Sequence, residues 1–269
     1  MPEKLGIFQA NSIVVSDCLD VMGQMPDECV DLVVTSPPYW NHRSYAHWGT
    51  YEEHLASINQ WLEGLGCIIK PGRHVCWNVQ SHLPTKRNGN ERWHLPLSAD
   101  TVTIAYRHGF MLERTVIWHK SNARCQRMFG SYPYPPTIIY TPSLEDIHIF
   151  RKEGQAALEN KTESSKITKE EWAEWTIPIW WMAIDYRKMG HPACFTEELP
   201  HRCIKLHSFV GDLIFDPFMS SGTTAVAADR LGRRWFGCDT NPEYVELALE
   251  RLEKDRLERS QLELGLPHR

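Results

Sequence analysis

Short runs rich in β-branched residues alternate along this chain with longer segments whose apolar side chains recur every three or four positions. The strand-like runs span residues 12–16, 31–35, 73–79, 114–119, 146–150, 212–216 and 234–239. The helix-like segments span residues 17–25, 51–69, 99–107, 223–231 and 241–264. Strands that alternate with helices in this way form a mostly parallel sheet with helices on both faces. The sequence therefore predicts an α/β fold built around a mostly parallel, twisted sheet.

The length and composition of the chain indicate a globular protein. Its 269 residues suit one large domain with insertions. No apolar run is long enough to span a bilayer, and the N-terminal segment lacks the basic flank and apolar core of a signal peptide. None of the eight cysteines forms a C-x-x-C pair, so we expect them to be reduced. These features predict a cytoplasmic protein with no membrane association.

The C-terminal half contains a strand, a turn of small residues and a helix in direct succession, DLIFDPFMSSGTTAVAADRLG. Ser220, Ser221 and Gly222 let backbone N–H groups approach a ligand closely, and the N-terminus of the following helix favours an anionic group. The next strand ends at Asp239, where an acid can accept both hydroxyls of a ribose. The glycine spacing of dinucleotide sites and the G-K-[ST] of triphosphate sites are both absent. We therefore expect a nucleoside site, although a tight strand-to-helix turn without a ligand fits the same pattern.

A second ligand-binding segment is predicted where the run 31–35 ends and Ser36, Pro37, Pro38 and Tyr39 follow. The two prolines end the strand, so a hydroxyl and a backbone carbonyl are held beside an aromatic ring. Two such acceptors can form hydrogen bonds with the two protons of an aromatic amine, which makes the lone pair of its nitrogen available for attack. The ring can stack on a base flipped out of a duplex. Taken alone, Pro-Pro-Tyr also fits a surface polyproline segment or a turn without function.

Together the two segments resemble the amino-methylating DNA methyltransferases, the family that contains the N(4)-cytosine and N(6)-adenine enzymes. The resemblance extends over nearly the whole chain. It is carried by SDCLDVMGQMPDECVDLVVTSPPYW, KPGRHVCWNV, GFMLERTVIWHKSN, HPACFTEELPHRCIKLHS, DLIFDPFMSSGTTAVAA and RRWFGCDTNPEYVELA. The catalytic segment precedes the cofactor segment, which is the order of the β class.

The resemblance implies a Rossmann-like, S-adenosylmethionine-dependent methyltransferase fold with inserted target-recognition segments. A single domain over residues 1–269 would comprise a catalytic half at about 10–150, a polar insertion at about 152–178 and a cofactor half at about 190–264. From its own sequence the insertion has a helical pattern, and we expect it to lie outside the core with Trp172 and Trp175 packed onto the body of the protein.

The resemblance also implies roles for individual residues. The catalytic motif is Ser36-Pro37-Pro38-Tyr39, in which Ser36 and the Pro37 carbonyl would hold the target amine and Tyr39 would stack on the base. The residues expected to bind S-adenosylmethionine are Asp17, His191, Pro192, Phe195, Thr196, Asp216, Pro217, Phe218, Ser220, Gly222, Thr223 and Asp239. Asp17 would lie near the adenine amine and Asp239 would hold the ribose. The family usually has glycine where this chain has Ser220, so the serine either fits at a slight cost or adds a contact.

The target base follows from the residue before Pro-Pro-Tyr. In the family, serine there usually accompanies cytosine N(4) methylation, whereas Asp or Asn usually accompanies adenine N(6) methylation. We therefore favour cytosine over adenine. Methylation at cytosine C5 is excluded because the nucleophilic Pro-Cys of those enzymes does not occur. A methyltransferase acting on a non-DNA substrate and a catalytically silent DNA-binding relative are the alternatives from other classes.

Double-stranded DNA is the expected partner, although the net charge of −5 argues against a surface coated with basic residues. A local cleft of Lys and Arg can bind phosphates on an acidic protein. The candidate DNA-binding residues are Lys86, Arg87, Arg92, Arg124 and Arg127. No metal-ligand spacing occurs among the His and Cys residues, so we expect no metal. A homodimer and a cognate restriction endonuclease are both compatible with the resemblance.

Overall fold

The computed structural model describes residues 4–40, 49–81, 83–84, 94–121, 133–135, 143–156, 162–183 and 196–263. The strands are β1 (Lys4–Leu5), β2 (Phe8–Gln9), β3 (Ser12–Val15), β4 (Val30–Thr35), β5 (Ile69–Gln80), β6 (Leu83–Pro84), β7 (His94–Leu95), β8 (Phe110–Lys120), β9 (Leu144–Lys152), β10 (Ile179–Met182), β11 (Leu213–Asp216) and β12 (Arg234–Asp239). The helices are α1 (Cys18–Met22), α2 (Tyr51–Ile68), α3 (Leu97–Arg107), α4 (Lys169–Trp175), α5 (Glu198–His207), α6 (Thr223–Arg230) and α7 (Pro242–Glu263), and a 3₁₀ turn lies at Glu163–Ser165.

Eight of these strands form one sheet, in the order β10-β8-β9-β5-β4-β11-β12-β3. Within it β9 is antiparallel to both of its neighbours, and the other pairings described are parallel. The strand order reverses between β4 and β11, because β5 follows β4 on one side and β12 follows β11 on the other. Such a reversal leaves a crevice outside the carboxyl ends of the two strands, where open α/β sheets bind their ligands. The topology therefore places the functional site at the ends of β4 and β11.

The core lies on both faces of this sheet, and the middle strand β4 shows why. Its six residues are all buried. Val33 belongs to the apolar cluster beneath α1, α2 and α3, whereas Leu32 and Val34 belong to the cluster beneath α5, α6 and α7. A strand that is covered on both faces needs a continuous apolar run, which is the pattern that the sequence shows at this position. The predicted α/β fold, with helices on both faces of a mostly parallel sheet, is confirmed.

The sequence prediction lacks α5 and β10, as well as the two-residue strands β1, β2, β6 and β7. Helix α5 has a clear apolar face formed by Leu199, Cys203 and Ile204. It also contains Pro200, but a proline in the first turn of a helix removes no intrahelical hydrogen bond. The face of α5 around Leu199 and Cys203 packs into the core. Strand β10 is short, and it extends the sheet only because it pairs in parallel with β8, a partner that is distant in sequence. Strand β10 is therefore fixed by tertiary contacts, whereas the local apolar pattern of α5 was present in the sequence and was overlooked.

The polar segment 152–175 was predicted to be helical throughout, and this prediction is wrong at its start. Lys152 is the last residue of β9, and the described part of the segment becomes regularly α-helical only in α4. Trp175 packs onto the body of the protein as expected. The guanidinium carbon of Arg202 lies 5.5 Å from the centroid of the Trp175 ring. Trp172 does not pack onto the body, since 56% of its surface is exposed. Finally, none of the described helices has the length and apolar character needed to cross a membrane.

Candidate active site

The ends of β4 and β11 are joined by a buried hydrogen bond. The hydroxyl of Thr35, the last residue of β4, donates to Oδ1 of Asp216, the last residue of β11, over 2.6 Å. Thr224 in α6 donates to the other oxygen of Asp216 over 2.7 Å, and the N–H of Phe218 donates to Oδ1 over 3.0 Å. Asp216 is 1% exposed, and this burial raises the pKa of its carboxyl to about 6 against the opposing effect of the three donors. The carboxylate thus ties the catalytic segment to the turn of the cofactor segment.

The turn after β11 is held in place from the neighbouring strand β12. The N–H of Met219 donates to the carbonyl of Cys238, and the N–H of Ser220 donates to Oδ2 of Asp239 over 2.9 Å. Ser220 has a φ of +48°, a left-handed conformation that glycine adopts more easily. This backbone geometry suits the glycine that the resemblance leads us to expect at this position.

Gly222 closes the turn immediately before α6 begins. Its φ is +77°, and a Cβ at this position would lie 2.8 Å from the Cβ of Ala248 in α7. A side chain here would therefore separate α6 from α7. The neighbouring Thr223 turns its hydroxyl towards α7 as well, where it accepts a hydrogen bond from Arg251 over 3.0 Å.

Two acidic residues lie at the ends of the adjacent parallel strands β12 and β3. Asp239 is the last residue of β12, and Asp17 comes two residues after β3. Asp239 pairs in register with Val15, so that Asp239 and Asp17 lie at the same edge of the sheet. One oxygen of Asp239 accepts from Ser220, and the other accepts from the N–H of Asn241 over 2.9 Å. Burial raises the pKa of Asp239, while these backbone donors oppose the shift. Asp17 is exposed and caps α1 by accepting from the N–H of Leu19 over 2.8 Å.

These residues fit a nucleoside-containing cofactor. The Asp239 carboxylate accepts backbone hydrogen bonds from Ser220 at one oxygen and from Asn241 at the other, and with about four lone-pair sites it keeps acceptor capacity for a ribose hydroxyl. The hydroxyl oxygen of Ser220 is buried and has no hydrogen-bond partner among the described residues. A buried polar atom without a partner is rare and is often satisfied by a ligand. The ring of Phe218 packs against the ring of Trp61 in a T-shaped arrangement, with the two ring centroids 4.8 Å apart.

The catalytic motif begins where β4 ends. Pro37 is buried, whereas Ser36, Pro38 and Tyr39 are half-buried. The ring of Tyr39 packs against the apolar cluster beneath α2, and its hydroxyl lies 3.1 Å from the hydroxyl of Ser36. The motif therefore places the hydroxyls of Ser36 and Tyr39 beside one another just after the end of β4.

Three further polar residues that the sequence prediction missed adjoin this motif. Nδ2 of Asn78 in β5 lies 2.7 Å from Oε2 of Glu145 and 3.2 Å from both the Ser36 and the Tyr39 hydroxyl oxygens, and it has two protons to donate among them. Oε2 of Glu145 also accepts from the Tyr39 hydroxyl at 3.3 Å, and Oε1 accepts from the ammonium of Lys120. In the sequence, only the position of these residues relative to the ends of strands could have identified them. Asn78 and Lys120 lie near the carboxyl ends of parallel strands, while Glu145 lies near the start of an antiparallel one.

Several predicted site residues lie outside the described part of the structure. They are His191, Pro192 and Phe195 of the cofactor set and Lys86, Arg87, Arg92, Arg124 and Arg127 of the DNA-binding set. Thr196 is described; it is half-buried, and its carbonyl accepts from the N–H of Leu199 at the start of α5. Over the described residues, no group of three or more His, Cys, Asp or Glu side chains is arranged to hold a metal ion.

Comparison with known proteins identifies the family to which this chain is similar. The DNA methylase family model of N(6) and N(4) enzymes matches residues 30–250. Type II methyltransferase M.BglI of Bacillus subtilis is 33% identical over 91% of this chain and 86% of its own length. Type II beta methyltransferase M.BslI of Bacillus sp. (strain NEB-606) is 26% identical over 89% of this chain, which spans only 27% of that longer protein.

Among solved structures, the Thermus thermophilus protein TTHA0409 in complex with S-adenosyl-L-methionine superposes with a TM-score of 0.76. It is 30% identical, and the match covers 91% of this chain and 93% of the Thermus chain. The family match spans most of the chain. The turn after β11, which is hydrogen-bonded to Asp216 and Asp239, fits the cofactor of the family. The chain therefore belongs to the N6/N4 DNA methylase family, the amino-methylating DNA methyltransferases that use S-adenosylmethionine.

Proposed function

We propose that this protein transfers a methyl group to the N(4) amine of cytosine within a specific sequence of double-stranded DNA. The observation that carries the proposal is the position of Ser36, whose hydroxyl lies at the crevice directly after the Thr35–Asp216 hydrogen bond between β4 and β11. A serine before Pro-Pro-Tyr usually accompanies cytosine methylation in this family, and the crevice is where the target amine and the methyl donor must meet.

The hydroxyl of Ser36 and the carbonyl of Pro37 are the two acceptors for the target amine. The lone pair of an exocyclic amine is delocalised into the base, so it is a poor nucleophile until both of its protons are held out of the ring plane. A serine hydroxyl can accept a proton from the amine while it donates its own proton elsewhere. Positive charge develops on the nitrogen as the new N–C bond forms. The two acceptors therefore bind the transition state more strongly than the bound base.

The turn after β11 and the acids at the ends of β12 and β3 hold the cofactor in this proposal. S-adenosylmethionine would supply a methyl group on a sulfonium centre. The sulfur would leave as a neutral thioether when the amine takes the methyl group, and the amine would then lose a proton. Asp239 accepts the ribose hydroxyls, Asp17 lies near the adenine amine, and the turn from Asp216 to Thr223 lines the methionine end together with His191, Pro192, Phe195 and Thr196. Catalysis then rests mainly on bringing the amine and the methyl group into line.

The target base reaches the crevice by flipping out of the duplex, and the ring of Tyr39 stacks on it. Phosphate contacts and sequence reading are assigned to Lys86, Arg87, Arg92, Arg124 and Arg127. A homodimer and a cognate restriction endonuclease are further proposals. The second is supported by the Type II names of the relatives that match most of this chain.

The test is the identity of the methylated base. Purified protein is incubated with unmethylated genomic DNA and labelled S-adenosylmethionine, and the nucleosides are separated by mass spectrometry. We expect N(4)-methyldeoxycytidine to carry the label, and sequencing of the product should place it in one recurring context. N(6)-methyldeoxyadenosine as the product would overturn the cytosine assignment and leave the family unchanged. Label transferred to protein or to small molecules but not to DNA would overturn the DNA substrate.

A further inference from the structure

An ion pair lies behind the catalytic motif, and strand direction explains its position. β9 is antiparallel to β5 and β8, so it starts at the edge where its two neighbours end. Glu145 pairs in register with Gln80 of β5 on one side and with Trp118 of β8 on the other. The ammonium of Lys120, at the end of β8, binds Oε1 of Glu145, whose side chain is 10% exposed.

The ion pair fixes which way its neighbours donate. An ionised carboxylate can only accept hydrogen bonds, and an ammonium can only donate them. With Oε1 taken by Lys120, Oε2 accepts from Nδ2 of Asn78 over 2.7 Å and from the Tyr39 hydroxyl over 3.3 Å. The amide of Asn78 must therefore turn its NH₂ group, and not its oxygen, towards Glu145. This orientation accounts for the Oδ1 of Asn78, which is buried and has no partner among the described residues.

The same constraint extends to Ser36. Because the Tyr39 proton is given to Glu145, the Tyr39 oxygen acts as an acceptor towards Ser36, 3.1 Å away. The Ser36 proton then points to Tyr39. One lone pair of the Ser36 oxygen accepts a hydrogen bond from Nδ2 of Asn78 over 3.2 Å. The other lone pair is left for a donor from the crevice.

We propose that Glu145, held by Lys120, is a positioning residue that keeps Ser36 oriented as an acceptor for the target amine. The inference rests on the proposed role of Ser36. The chain of donors runs in one direction, from the amine to Ser36, from Ser36 to Tyr39 and from Tyr39 to the Glu145 carboxylate. Hydrogen bonds aligned in this way polarise one another, so the negative charge of Glu145 strengthens the acceptor at Ser36 without touching the base. The effect grows as positive charge develops on the amine, so it acts on turnover more than on binding.

Glu145→Gln tests this role, because glutamine keeps the shape of the side chain and its amide can donate. Single-turnover methylation of a duplex substrate should slow by about 10- to 100-fold, the range expected when a reacting group is misoriented. The dissociation constants for DNA and for S-adenosylmethionine should stay within about twofold of the parent, since Glu145 touches neither. Glu113→Gln is the matched control. This carboxylate lies on β8 and pairs with His74 and Arg151, away from the crevice.

A second variant separates orientation from simple packing. Tyr39→Phe keeps the ring and removes the hydroxyl through which Glu145 acts on Ser36. In the Tyr39→Phe protein, the loss of rate caused by Glu145→Gln should be at least about threefold smaller than the loss that Glu145→Gln causes in the parent. Coupled residues are not additive.

Three results would overturn the proposal. The first is a Glu145→Gln rate within twofold of the parent, and the second is a loss of rate that is equally large with and without the Tyr39 hydroxyl. The third is a parallel loss of turnover, DNA affinity and thermal stability, which would show a purely structural role. The rate is read from labelled methyl transferred to the duplex, whichever base receives it. A wrong cytosine assignment would therefore leave this test intact, and the mass spectrum of the product would reveal it separately.

Discussion

The hydroxyl of Thr35 and the carboxylate of Asp216 form a 2.6 Å hydrogen bond that links two strand ends lying 181 residues apart in the sequence. One strand end leads into the catalytic motif and the other into the turn that is proposed to hold the cofactor. Because the donor and the acceptor are both fully buried, the relative position of the two segments is fixed before any ligand binds. Pre-organisation of this kind suits a reaction whose rate depends on alignment of the reactants.

Asp216 predicts a dependence of stability on pH. Burial raises its pKa to about 6, above the ordinary value of 3.8, so the folded protein binds this proton more tightly than the unfolded chain does. The free energy of unfolding should therefore lose this contribution as the pH rises from about 4 to about 6. Asp216→Asn should abolish that part of the slope. Urea unfolding from about pH 4.5 to about pH 7.5 measures it, and an unchanged slope in the variant would contradict the assignment.

Ser36→Ala removes one of the two acceptors proposed for the target amine and leaves the Pro37 carbonyl in place. We expect the barrier to methyl transfer to rise by about 2–4 kcal/mol, by analogy with the loss of one oxyanion-hole donor. DNA affinity should change much less, because the lost interaction strengthens mainly in the transition state. Single-turnover rates and DNA titrations give the two quantities, with Ser260→Ala on the exposed side of α7 as the control. Full activity in Ser36→Ala would refute the mechanism.

Asp239→Ala should weaken the binding of S-adenosylmethionine by about 1.5–3 kcal/mol, the usual range for hydrogen bonds to a charged group. Part of the loss will come from the turn itself, because the carboxylate also receives the N–H of Ser220. Asp239→Asn keeps one acceptor oxygen and should lose less. Calorimetry gives the dissociation constants, and Asp20→Ala on the exposed side of α1 is the control. An unchanged constant in Asp239→Ala would show that the ribose is held elsewhere.

Ser220→Gly should stabilise the protein in the absence of ligand. The serine has a left-handed φ of +48° and a buried hydroxyl with no partner among the described residues, and both features cost folding free energy. Glycine removes both but loses more backbone entropy on folding, so we expect a net gain of about 1 kcal/mol. Ser220→Ala removes only the hydroxyl and should gain less. Denaturant unfolding distinguishes them. Weaker cofactor binding in both variants would identify the hydroxyl as a contact, and a Ser220→Gly protein less stable than the parent would contradict the strain argument.

The basic residues predicted to contact DNA can be tested independently of the cofactor site. Changing Arg87, Arg92, Arg124 or Arg127 to Ala should weaken DNA binding without affecting S-adenosylmethionine. A residue that contacts a phosphate should also reduce the salt dependence of binding by about one unit of slope. Titrations at several salt concentrations measure both effects. If all four variants bind DNA as the parent does, the interface lies on another part of the surface.

The sequence predicted the strands and helices that have a strong local pattern, and with them the two segments of the site. The continuous apolar run before Ser36 and the strand–turn–helix around Ser220 were both recognisable because their function needs a specific backbone. Asn78, Lys120 and Glu145 were not recognised. Each lies in an ordinary strand, and only the order and direction of β5, β8 and β9 bring them together. Contacts between distant strands leave no periodic signal in the sequence, and β10 was missed for the same reason. The amphipathic pattern of α5 was present in the sequence and was overlooked.

The last helix reaches back to the cofactor turn. Arg251 of α7 donates to the carbonyl of Ser221 over 3.2 Å and to the hydroxyl of Thr223 over 3.0 Å, and its guanidinium also binds Glu197 at the start of α5. A chain shortened before position 251 would keep every residue assigned to S-adenosylmethionine and would still lose the hydrogen bonds with which α7 adds to the support of their turn. The functional unit at this end therefore includes a residue whose described contacts are all with the protein itself.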